Sequence, residues 1–542
     1  MISQKMRCRN TILLVTFFLL LPCKLAAFDI HYDLSITNPS SGKGSIQISV
    51  SNFNQDILEI GSFTTYEVHE INVSNVNAIG SEGNSLPVTK KPGNQSFLPN
   101  NTDIWEIQTL GSNEITINYD FQPKKGPVDW LPDPVYFGYI TENYAVFLAE
   151  WVFLIPGRNY QFEILSASFH VPANWKIFCP WPKRGNTYFF SDLYYSDDPY
   201  NLLGATTFSF GNLSAYVYQI DSTEFTVAIF GEESANKKID MANRLAKLFK
   251  YYTQIWKTSI DSPFIFSILP RANDGSWILE GAGPLSRHVS VYNFYDYYQN
   301  NFSTWYPTSF EIFEVRWLAG EWGIMIHGNP TLWMKRGISH VYAYKAPLNM
   351  GEISSSTIVD QIKKDYDLYL SCVESGCDGS LANAEWTGHP EYELARHKGG
   401  LVIILLANEI QRLSNGSKSF DELLSVLFSK YGLSENDLTT ELLKTEIEQY
   451  TKRDFTDFFD KYVFGTALLP YNTFFSDDDK DGVTNVIEIL KDTDPRKTDT
   501  DGDGYTDKEE IDAGTDPTDR RSCPGPCPVI PCTWVPSLLL FE

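Results

Sequence analysis

Near the C terminus, two acidic segments repeat with a period of 22 residues and place carboxylates at alternating positions. Both follow the pattern D-x-D-x-D-G-x-x-[N/D]-x-x-E, which is typical of a calcium-binding loop. In such a loop, four side chains and one backbone carbonyl offer single oxygens, and the glutamate at position twelve binds with both of its oxygens. The predicted calcium ligands are Asp477, Asp479, Asp481, Val483, Asn485 and Glu488 in the first segment, and Asp499, Asp501, Asp503, Tyr505, Asp507 and Glu510 in the second.

This spacing is more specific than an acidic tail requires. A merely solvated tail has no need of glycine at both sixth positions, Gly482 and Gly504, where a calcium loop turns sharply. Without a cation, the clustered carboxylates would repel one another. The sequence therefore predicts calcium as the cofactor of this region.

A Thr-Asp-Pro unit follows each acidic segment, at Thr493 and Thr515. With these units, the region from residue 476 to 519 resembles thrombospondin type-3 repeats more than helix-flanked calcium loops. The resemblance implies that Asp494 and Asp516 contribute further ligands. Because so acidic a stretch cannot bury a core of its own, calcium would order it. We therefore expect a stiff, calcium-ordered spacer.

Length and composition indicate a large globular protein. The chain has 542 residues, of which 43% are hydrophobic and 14% aromatic. A chain of this length folds into roughly two to four domains. Its formal net charge of −25 argues against electrostatic binding to nucleic acid or to anionic membranes.

The first 27 residues have the pattern of a secretory signal peptide. Lys5, Arg7 and Arg9 precede an apolar run from Thr11 to Leu21, and small residues before Phe28 provide a cleavage site. No later stretch of sequence has the roughly 18 uninterrupted apolar residues of a spanning helix. We therefore expect a secreted or cell-surface glycoprotein. Its N-x-S/T sequons are Asn72, Asn94, Asn100, Asn212, Asn301 and Asn415.

The cysteines suit an oxidising environment. Cys372 and Cys377 flank a short loop and are predicted to form a local disulfide. Cys179 is predicted to be a buried thiol. A Pro-rich tail holds three further cysteines whose spacing leaves a metal site open; they are Cys523, Cys527 and Cys532.

Hydrophobic periodicity divides the chain into a strand-rich and a helical part. From residue 28 to about 231, period-two and apolar runs alternate with turn residues, which predicts an antiparallel sandwich or a saddle-like sheet. A helical period covers residues 235–260, and residues 311–470 are mainly helical, with Ser419 and Glu422 forming a capping box. The predicted strands include Gly44–Val50, Glu114–Tyr119, Tyr144–Ile155, Tyr160–Val171, Thr206–Phe210 and Glu224–Phe230. The predicted fold class is multidomain α+β.

Three passages between Tyr32 and Pro470 resemble gluzincin metallopeptidases of the glycyl-aminopeptidase type and, more distantly, of the alanyl-aminopeptidase type. One is HKGGLVIILLANEIQRLSNGSKSFDELLSVLFSKYG, from His397 to Gly432, which is similar to the K-G-A-L-V helix of that family and the helix after it. Another is RDFTDFFDKYVFGTALLP, which ends at Pro470 and is similar to the family's closing motif. The third runs from Trp317 to Tyr344 and has the outline of the zinc site.

The resemblance implies an N-terminal antiparallel β domain, a thermolysin-like α/β domain and a helical domain, followed here by a small calcium-repeat tail. The expected boundaries are 1–27 for the signal peptide, 28–231 for the β domain, 232–345 for the thermolysin-like domain, 346–470 for the helical domain, 476–519 for the calcium repeats and 520–542 for the Pro- and Cys-rich tail.

The catalytic positions of that family have changed residue type in this chain. An H-E-x-x-H helix directs two histidines at one zinc ion and uses the glutamate between them as general base. Those three positions fall on Gly320, Glu321 and Ile324, and the third ligand, a glutamate in the family, falls on Arg336. The oxyanion-stabilising tyrosine falls on Arg396. Because Glu321 alone keeps its type, the sequence favours loss of zinc and of catalysis.

The charges left at this centre admit two arrangements. A carboxylate on a buried helix face is costly without a partner, so Arg336 would pair with Glu321 in place of the metal. Otherwise Arg336 points to solvent and Glu321 finds another donor. Glu280 matches the acid of the family's substrate-amine motif. Three histidines lie nearby, but none pairs with another ligand at helical spacing, which favours surface roles over a rearranged zinc site; they are His327, His340 and His397.

These observations favour a secreted, non-catalytic gluzincin-like protein that carries calcium repeats and acts as a binding or surface scaffold for an unidentified protein or peptide. Two alternatives stay open. One is an active secreted zinc aminopeptidase with a rearranged metal site, which bound zinc and peptidase activity would reveal. The other is a calcium-dependent docking module, which calcium-dependent pull-down would reveal.

Overall fold

The computed structural model describes residues 27–62, 71–92, 103–126, 135–136, 138–157, 160, 162–190, 207–230, 234–257, 264–269, 288–292, 331–384, 389–431 and 438–527. Across these residues, a strand-rich N-terminal part is followed by a helical C-terminal part, as the periodicity predicts.

The strands are β1 (Phe28–Ser35), β2 (Gly44–Ser51), β3 (Ile57–Gly61), β4 (Ile71–Gly80), β5 (Ser85–Leu86), β6 (Val88–Pro92), β7 (Asp103–Gln108), β8 (Ile115–Pro123), β9 (Lys125–Gly126), β10 (Val135–Tyr136), β11 (Tyr139–Ile140), β12 (Tyr144–Leu148), β13 (Ile155–Pro156), β14 (Phe162–His170), β15 (Lys176–Phe178), β16 (Lys183–Arg184), β17 (Thr187–Phe189), β18 (Thr207–Gly211), β19 (Ser214–Ile220), β20 (Thr223–Ile229), β21 (Phe264–Leu269) and β22 (His288–Tyr292).

The helices are α1 (Ala149–Val152), α2 (Ala235–Trp256), α3 (Leu332–Asn349), α4 (Ser355–Ser375), α5 (His389–Leu413), α6 (Phe420–Tyr431), α7 (Thr440–Thr451), α8 (Thr456–Tyr462), α9 (Tyr471–Phe475), α10 (Asn485–Lys491) and α11 (Asp507–Ala513).

An eight-stranded sheet, in the order β16-β17-β14-β1-β2-β8-β4-β5, dominates the N-terminal part. Strict alternation of buried and half-buried residues along β1 fixes its register, because a slip by one residue would turn Ile30, Tyr32 and Leu34 away from the core. Its pairings are antiparallel except one, between β1 and β14, which run parallel. The expected antiparallel sheet therefore contains one parallel junction.

The predicted strand Tyr144–Ile155 is interrupted. Strand β12 ends at Leu148, and the chain makes one helical turn, α1, before β13. The phenol of Tyr119 stabilises this turn, since it donates to the carbonyl of Val152 at 2.8 Å and accepts from the amide of Leu154 at 3.0 Å. An unbroken apolar run does not distinguish a buried strand from a buried helical turn, so its sequence could not predict the break.

A second, four-stranded sheet has the order β19-β20-β21-β22, and β20, β21 and β22 are parallel neighbours. Helix α2 begins after Ser234, whose hydroxyl accepts from the amide of Lys237, and it packs its apolar face on this sheet. The ring of Phe249 stacks on Phe225 of β20 at a centroid distance of 4.5 Å. The sheet spans the expected domain boundary at residue 231, because β19 and β20 precede that residue and β21 and β22 follow it.

Helices α3 and α5 lie at the centre of the helical part. A Cβ atom at Gly337 of α3 would lie 2.7 Å from the carbonyl carbon of Gly399 in α5, so glycine at this position lets the two backbones touch. One continuous apolar core joins these helices to the four-stranded sheet and to helix α10. Among the described helices, none is both long enough and apolar enough to cross a membrane.

Candidate calcium loops and the peptidase-like centre

The first acidic loop folds around its own aspartates. The carboxylate of Asp477 accepts from the amides of Lys480 at 2.7 Å and Gly482 at 3.1 Å. Asp479 accepts from the amide of residue 481 at 3.1 Å, and Asp481 accepts from that of Val483 at 2.7 Å. Gly482 has a φ of 101°, a value that residues with a Cβ rarely adopt, which explains the glycine at position six.

The second loop repeats this geometry. The carboxylate of Asp499 accepts from the amides of Gly502 at 2.7 Å and Gly504 at 2.9 Å, and Gly504 has a φ of 100°. Asp501 and Asp503 each accept from the amide two residues ahead, at 2.9 Å and 2.8 Å. In each loop, carboxylate oxygens of the three aspartates converge to within 4.8 Å of one another.

Several buried carboxylate oxygens in these loops have no hydrogen-bond partner on the protein. They belong to Asp479, Glu488, Asp501, Asp503 and Glu510. Burial, together with the neighbouring aspartates, raises the pKa of Glu488 to about 9 and that of Glu510 to about 8. A hard divalent cation satisfies such oxygens and reverses the cost of gathering them, so the residues present fit calcium.

The residues at position nine hold the loop backbone. The side-chain oxygen of Asn485 accepts from the amide of Asp478 at 3.1 Å. The carboxylate of Asp507 accepts from both the amide and the hydroxyl of Thr500, at 2.8 Å and 2.7 Å. Both side chains therefore fix the shape of the loop, and their binding to calcium stays a prediction, as does that of the carbonyls of Val483 and Tyr505.

The aspartates of the two Thr-Asp-Pro units make contacts of their own. Asp494 is buried and pairs with Arg496 at 2.6 Å and Lys497 at 3.3 Å. Asp516 accepts from the amide and the hydroxyl of Thr518, at 3.0 Å and 2.7 Å. Each aspartate stabilises the turn that follows its loop, and their predicted role as calcium ligands is untested.

The first repeat packs into the helical part instead of extending away from it. Asn349 of α3 donates to the carbonyl of Leu490 at 2.9 Å, and Gln411 of α5 donates to that of Thr493 at 2.8 Å. The buried residues of α10 are Asn485, Val486, Ile487, Glu488, Ile489 and Leu490. The expectation of a stiff spacer is therefore wrong for the first repeat, since its apolar helix completes the core of the helical part.

A buried lysine joins this repeat to α3. The ammonium group of Lys345 lies 2.7 Å from the carboxylate of Asp421 and 2.7 Å from that of Asp492, the residue that ends α10. Burial alone would lower the pKa of Lys345, but the two carboxylates hold it above its usual range. The phenol of Tyr342 also donates to Asp421. The buried ammonium group of Lys345 thus connects the first repeat to α3, because both carboxylates are needed to compensate its charge.

The structure describes part of the peptidase-like centre. Gly320, Glu321 and Ile324, like Glu280 and His327, lie outside the described residues, so the Glu321–Arg336 pairing stays a hypothesis. Arg336 lies on α3 and is 9% exposed, which contradicts the alternative that it points freely to solvent. Arg396 lies on α5, half-buried, and its charge lowers the pKa of a neighbouring buried histidine on α3, His340, whose pKa is lowered first by its burial.

Three of the helices bring together a cluster that residue spacing did not reveal. Nε2 of His340 on α3 lies 2.8 Å from Oδ2 of Asp365 on α4, and Nδ1 of His397 on α5 lies 2.7 Å from Oδ1 of the same carboxylate. Tyr344, one turn after His340, donates to Oδ2 of Asp365. Two of the three histidines expected at the surface are therefore held at one buried carboxylate. The only signal in the sequence was the spacing of His340 and Tyr344 on one face of a helix.

Four of the five cysteines in the described region form two disulfides. Cys372 pairs with Cys377 at the end of α4, and Cys523 pairs with Cys527. The second pairing removes two of the three thiols that a metal site in the tail would use. Cys179 is a buried free thiol.

Comparison with known families and structures identifies one repeat family and several similar structures. The bacterial TSP3 repeat family matches residues 499–520. An aminopeptidase N family protein from Idiomarina loihiensis is similar in structure, with a TM-score of 0.59 and 14% sequence identity over 82% of this chain and 77% of that one. This likeness shows an aminopeptidase-like fold. No curated protein matches the sequence.

Two further structures match with lower TM-scores. An M1 zinc metallopeptidase from Deinococcus radiodurans has a TM-score of 0.47 and 13% identity over 82% of this chain and 96% of that one. Yeast LTA4 hydrolase, in complex with bestatin, has a TM-score of 0.47 and 12% identity over 84% of this chain and 70% of that one.

Proposed function

We propose that this chain is a secreted or cell-surface protein of aminopeptidase-like fold that no longer catalyses peptide hydrolysis and instead binds a protein or peptide partner. The observation that carries the proposal is the buried Arg336 on α3, at the position where the resemblance expects a glutamate ligand of zinc. A guanidinium cannot ligate a metal ion, and its positive charge repels a divalent cation.

The residue types at the two other ligand positions support the same conclusion. Gly320 has no side chain and Ile324 has only a hydrocarbon, so neither offers a ligand atom. A site with no ligands neither lowers the pKa of a water molecule nor polarises a peptide carbonyl. Loss of the zinc site therefore removes the capacity for peptide hydrolysis and leaves binding of a partner as the function of the fold.

Calcium has a structural role in this proposal. The buried oxygens of Glu488 and Glu510 without a hydrogen-bond partner support calcium in both loops, and the match to the TSP3 repeat supports it in the second. Because α10 contributes to the core of the helical part, calcium bound in the first loop would stabilise that part as well as the loop itself.

The cluster of His340, Asp365 and His397 raises the alternative of an active enzyme with a rearranged metal site. The side chains of these residues are 3%, 7% and 13% exposed. A catalytic metal ion needs an open coordination position that a peptide bond can reach. The enclosure of this cluster therefore favours a structural role over peptide hydrolysis.

Aminopeptidase activity tests the proposal. The full chain, saturated with calcium and supplied with zinc, is assayed on a panel of aminoacyl p-nitroanilides beside its Glu321→Gln variant. We expect both proteins to show the same background rate. Turnover by the unmodified chain that disappears in Glu321→Gln would overturn the proposal, because it would show that the retained glutamate still acts as a general base.

A further inference from the structure

We propose that His340, Asp365 and His397 form a binding site for one divalent transition-metal ion of the zinc class, separate from the inherited catalytic position. Two imidazoles and a carboxylate are a donor set that zinc and its neighbours bind well, whereas calcium and magnesium prefer oxygen alone. The ion would join α3, α4 and α5 and act as a structural cross-link.

The distances suit a shared ion. Ligand atoms of all three residues lie within 4.8 Å of one another, and each imidazole nitrogen lies within 2.8 Å of an oxygen of Asp365. Nitrogen and oxygen ligands bind zinc at about 2.0–2.2 Å, so two ligands of one tetrahedral ion are roughly 3.4 Å apart, and the imidazoles would move outward by about half an ångström to admit it. The two rings meet nearly at right angles, with centroids 5.4 Å apart, so both reach the carboxylate without colliding.

The backbone makes room for the cluster. A Cβ atom at Gly400 would lie 2.5 Å from Cδ2 of His340, so glycine is required where the imidazole crosses α5. The contact between Gly337 and Gly399 brings α3 and α5 close enough for both histidines to face one carboxylate. The absence of side chains at Gly337, Gly399 and Gly400 therefore provides the space that the two imidazoles occupy.

A further side chain positions the carboxylate. The phenol of Tyr344 donates to Oδ2 of Asp365, and such outer contacts orient the ligands of metal sites. The two oxygens of Asp365 face different rings, because Oδ2 lies at Nε2 of His340 and Oδ1 lies at Nδ1 of His397.

This site differs from the inherited one in its ligands and in its surroundings. The inherited third-ligand position, Arg336, precedes His340 by one helical turn and carries a positive charge. None of the residues that the resemblance assigns to catalysis belongs to the cluster. Metal bound here would therefore leave the proposal of a non-catalytic protein unchanged, and activity is not needed to detect it.

Zinc binding by the full chain tests the proposal. The protein is stripped with a zinc-selective chelator in the presence of calcium and then titrated with zinc, with metal content measured by elemental mass spectrometry. We expect about one zinc per chain, with an affinity at least about tenfold weaker in His397→Gln and about tenfold weaker in Tyr344→Phe. His170→Gln, which changes an exposed histidine of β14, is the control and should bind as the unmodified chain does.

Several outcomes would overturn the proposal. They are zinc content near zero in the unmodified chain and equal zinc affinity in His397→Gln. Equal affinity would place the zinc outside this cluster, whereas only peptidase turnover would contradict the proposed function. If His397→Gln does not fold, cobalt added to the unmodified chain decides, because ligation by imidazole gives visible absorption bands and their absence refutes the site.

Discussion

The two acidic loops have nearly the same hydrogen bonds and glycine φ angles, yet the helices that follow them lie in different surroundings. Helix α10 of the first repeat is almost wholly buried among the helices of the main body. In α11 of the second repeat, only Asp507 and Glu510 are buried. The same loop motif therefore serves two purposes, one as part of the folded body and one as an appended unit.

The residues after each loop explain the difference. Helix α10 of the first repeat contains Val486, Ile487 and the apolar pair Ile489-Leu490, whereas α11 of the second contains Lys508-Glu509 and ends with Ile511, Asp512 and Ala513. The apolar side chains of α10 bury against α3, α4 and α5, whereas Glu509 and Asp512 of α11 are exposed and Lys508 is half-buried. Calcium would thus order each loop locally, and the packing of the helix after the loop determines whether that order also stabilises the helical part.

Breaking the ion pairs of each repeat should give the largest contrast. Lys345→Met removes the buried cation shared by the partly exposed carboxylates of Asp421 and Asp492, and we expect the free energy of unfolding to fall by about 3 kcal/mol, the low end for a buried pair. Lys508→Met removes an exposed pair with Asp512 and should change it by less than about 1 kcal/mol. Urea denaturation followed by near-ultraviolet circular dichroism measures both, and equal effects would contradict the buried connection.

Truncation of the apolar side chains tests the packing itself. Leu490→Ala removes a side chain that is 1% exposed, and we expect a loss of about 2–5 kcal/mol. Ile511→Ala removes the half-buried counterpart in α11 and should cost about 1 kcal/mol or less. A larger loss for Ile511→Ala than for Leu490→Ala, measured by thermal unfolding in calcium, would contradict the conclusion that α10 packs in the core and α11 does not.

Removal of the closing glutamate tests the calcium dependence of each repeat. Glu488→Gln weakens calcium in the first loop and should lower the unfolding temperature of the helical body, by the equivalent of about 2–3 kcal/mol when calcium is at a hundred times its dissociation constant. Glu510→Gln should weaken binding in the second loop and leave that temperature unchanged. A fall in both variants, or in neither, would show that the two repeats do not differ.

The dependence on pH should reverse when calcium is removed. In the calcium-free protein the pKa of Glu488 is raised to about 9 and that of Glu510 to about 8, so the folded state holds these protons more tightly than the unfolded chain. The stability that these two groups contribute to the calcium-free fold is therefore greatest below about pH 4.5. It is lost as the pH rises through the pKa values of about 8 and about 9.

Calcium binds the ionised carboxylates, so its affinity and the stability it adds should rise over the same range. Calcium titrations by calorimetry at several pH values, with proton release followed in buffers of different ionisation enthalpy, measure this effect. A calcium affinity that does not change with pH would show that these glutamates are not ligands.

The two loops could be predicted because their chemistry is local. Positions one, three, five and twelve lie within a single turn-rich segment, so spacing alone brings the carboxylates together. The burial of α10 was not predicted, because it depends on contacts such as Lys345–Asp492 that join distant parts of the chain. The acidic composition of the whole repeat region also led to the prediction of a spacer, although the apolar helix α10 follows the first loop.

The cluster of His340, Asp365 and His397 could not be predicted from the sequence either. His340, Asp365 and His397 lie on three helices, and their spacing in the sequence has no helical period. Resemblance to a known family directs attention to positions 320, 324 and 336, where ligands have been lost. Packing through Gly337 and Gly399 creates a different meeting point, which only three-dimensional contacts reveal.

Hydrogen exchange followed by mass spectrometry, with and without calcium, tests most directly whether the first repeat belongs to the folded body. We predict that chelation of calcium speeds exchange in α10 and also in α3 and α5, and that Glu510→Gln in the presence of calcium leaves α3 and α5 protected. Faster exchange confined to residues 477–519 after chelation would contradict this prediction, because both repeats would then be appended units that calcium orders only locally.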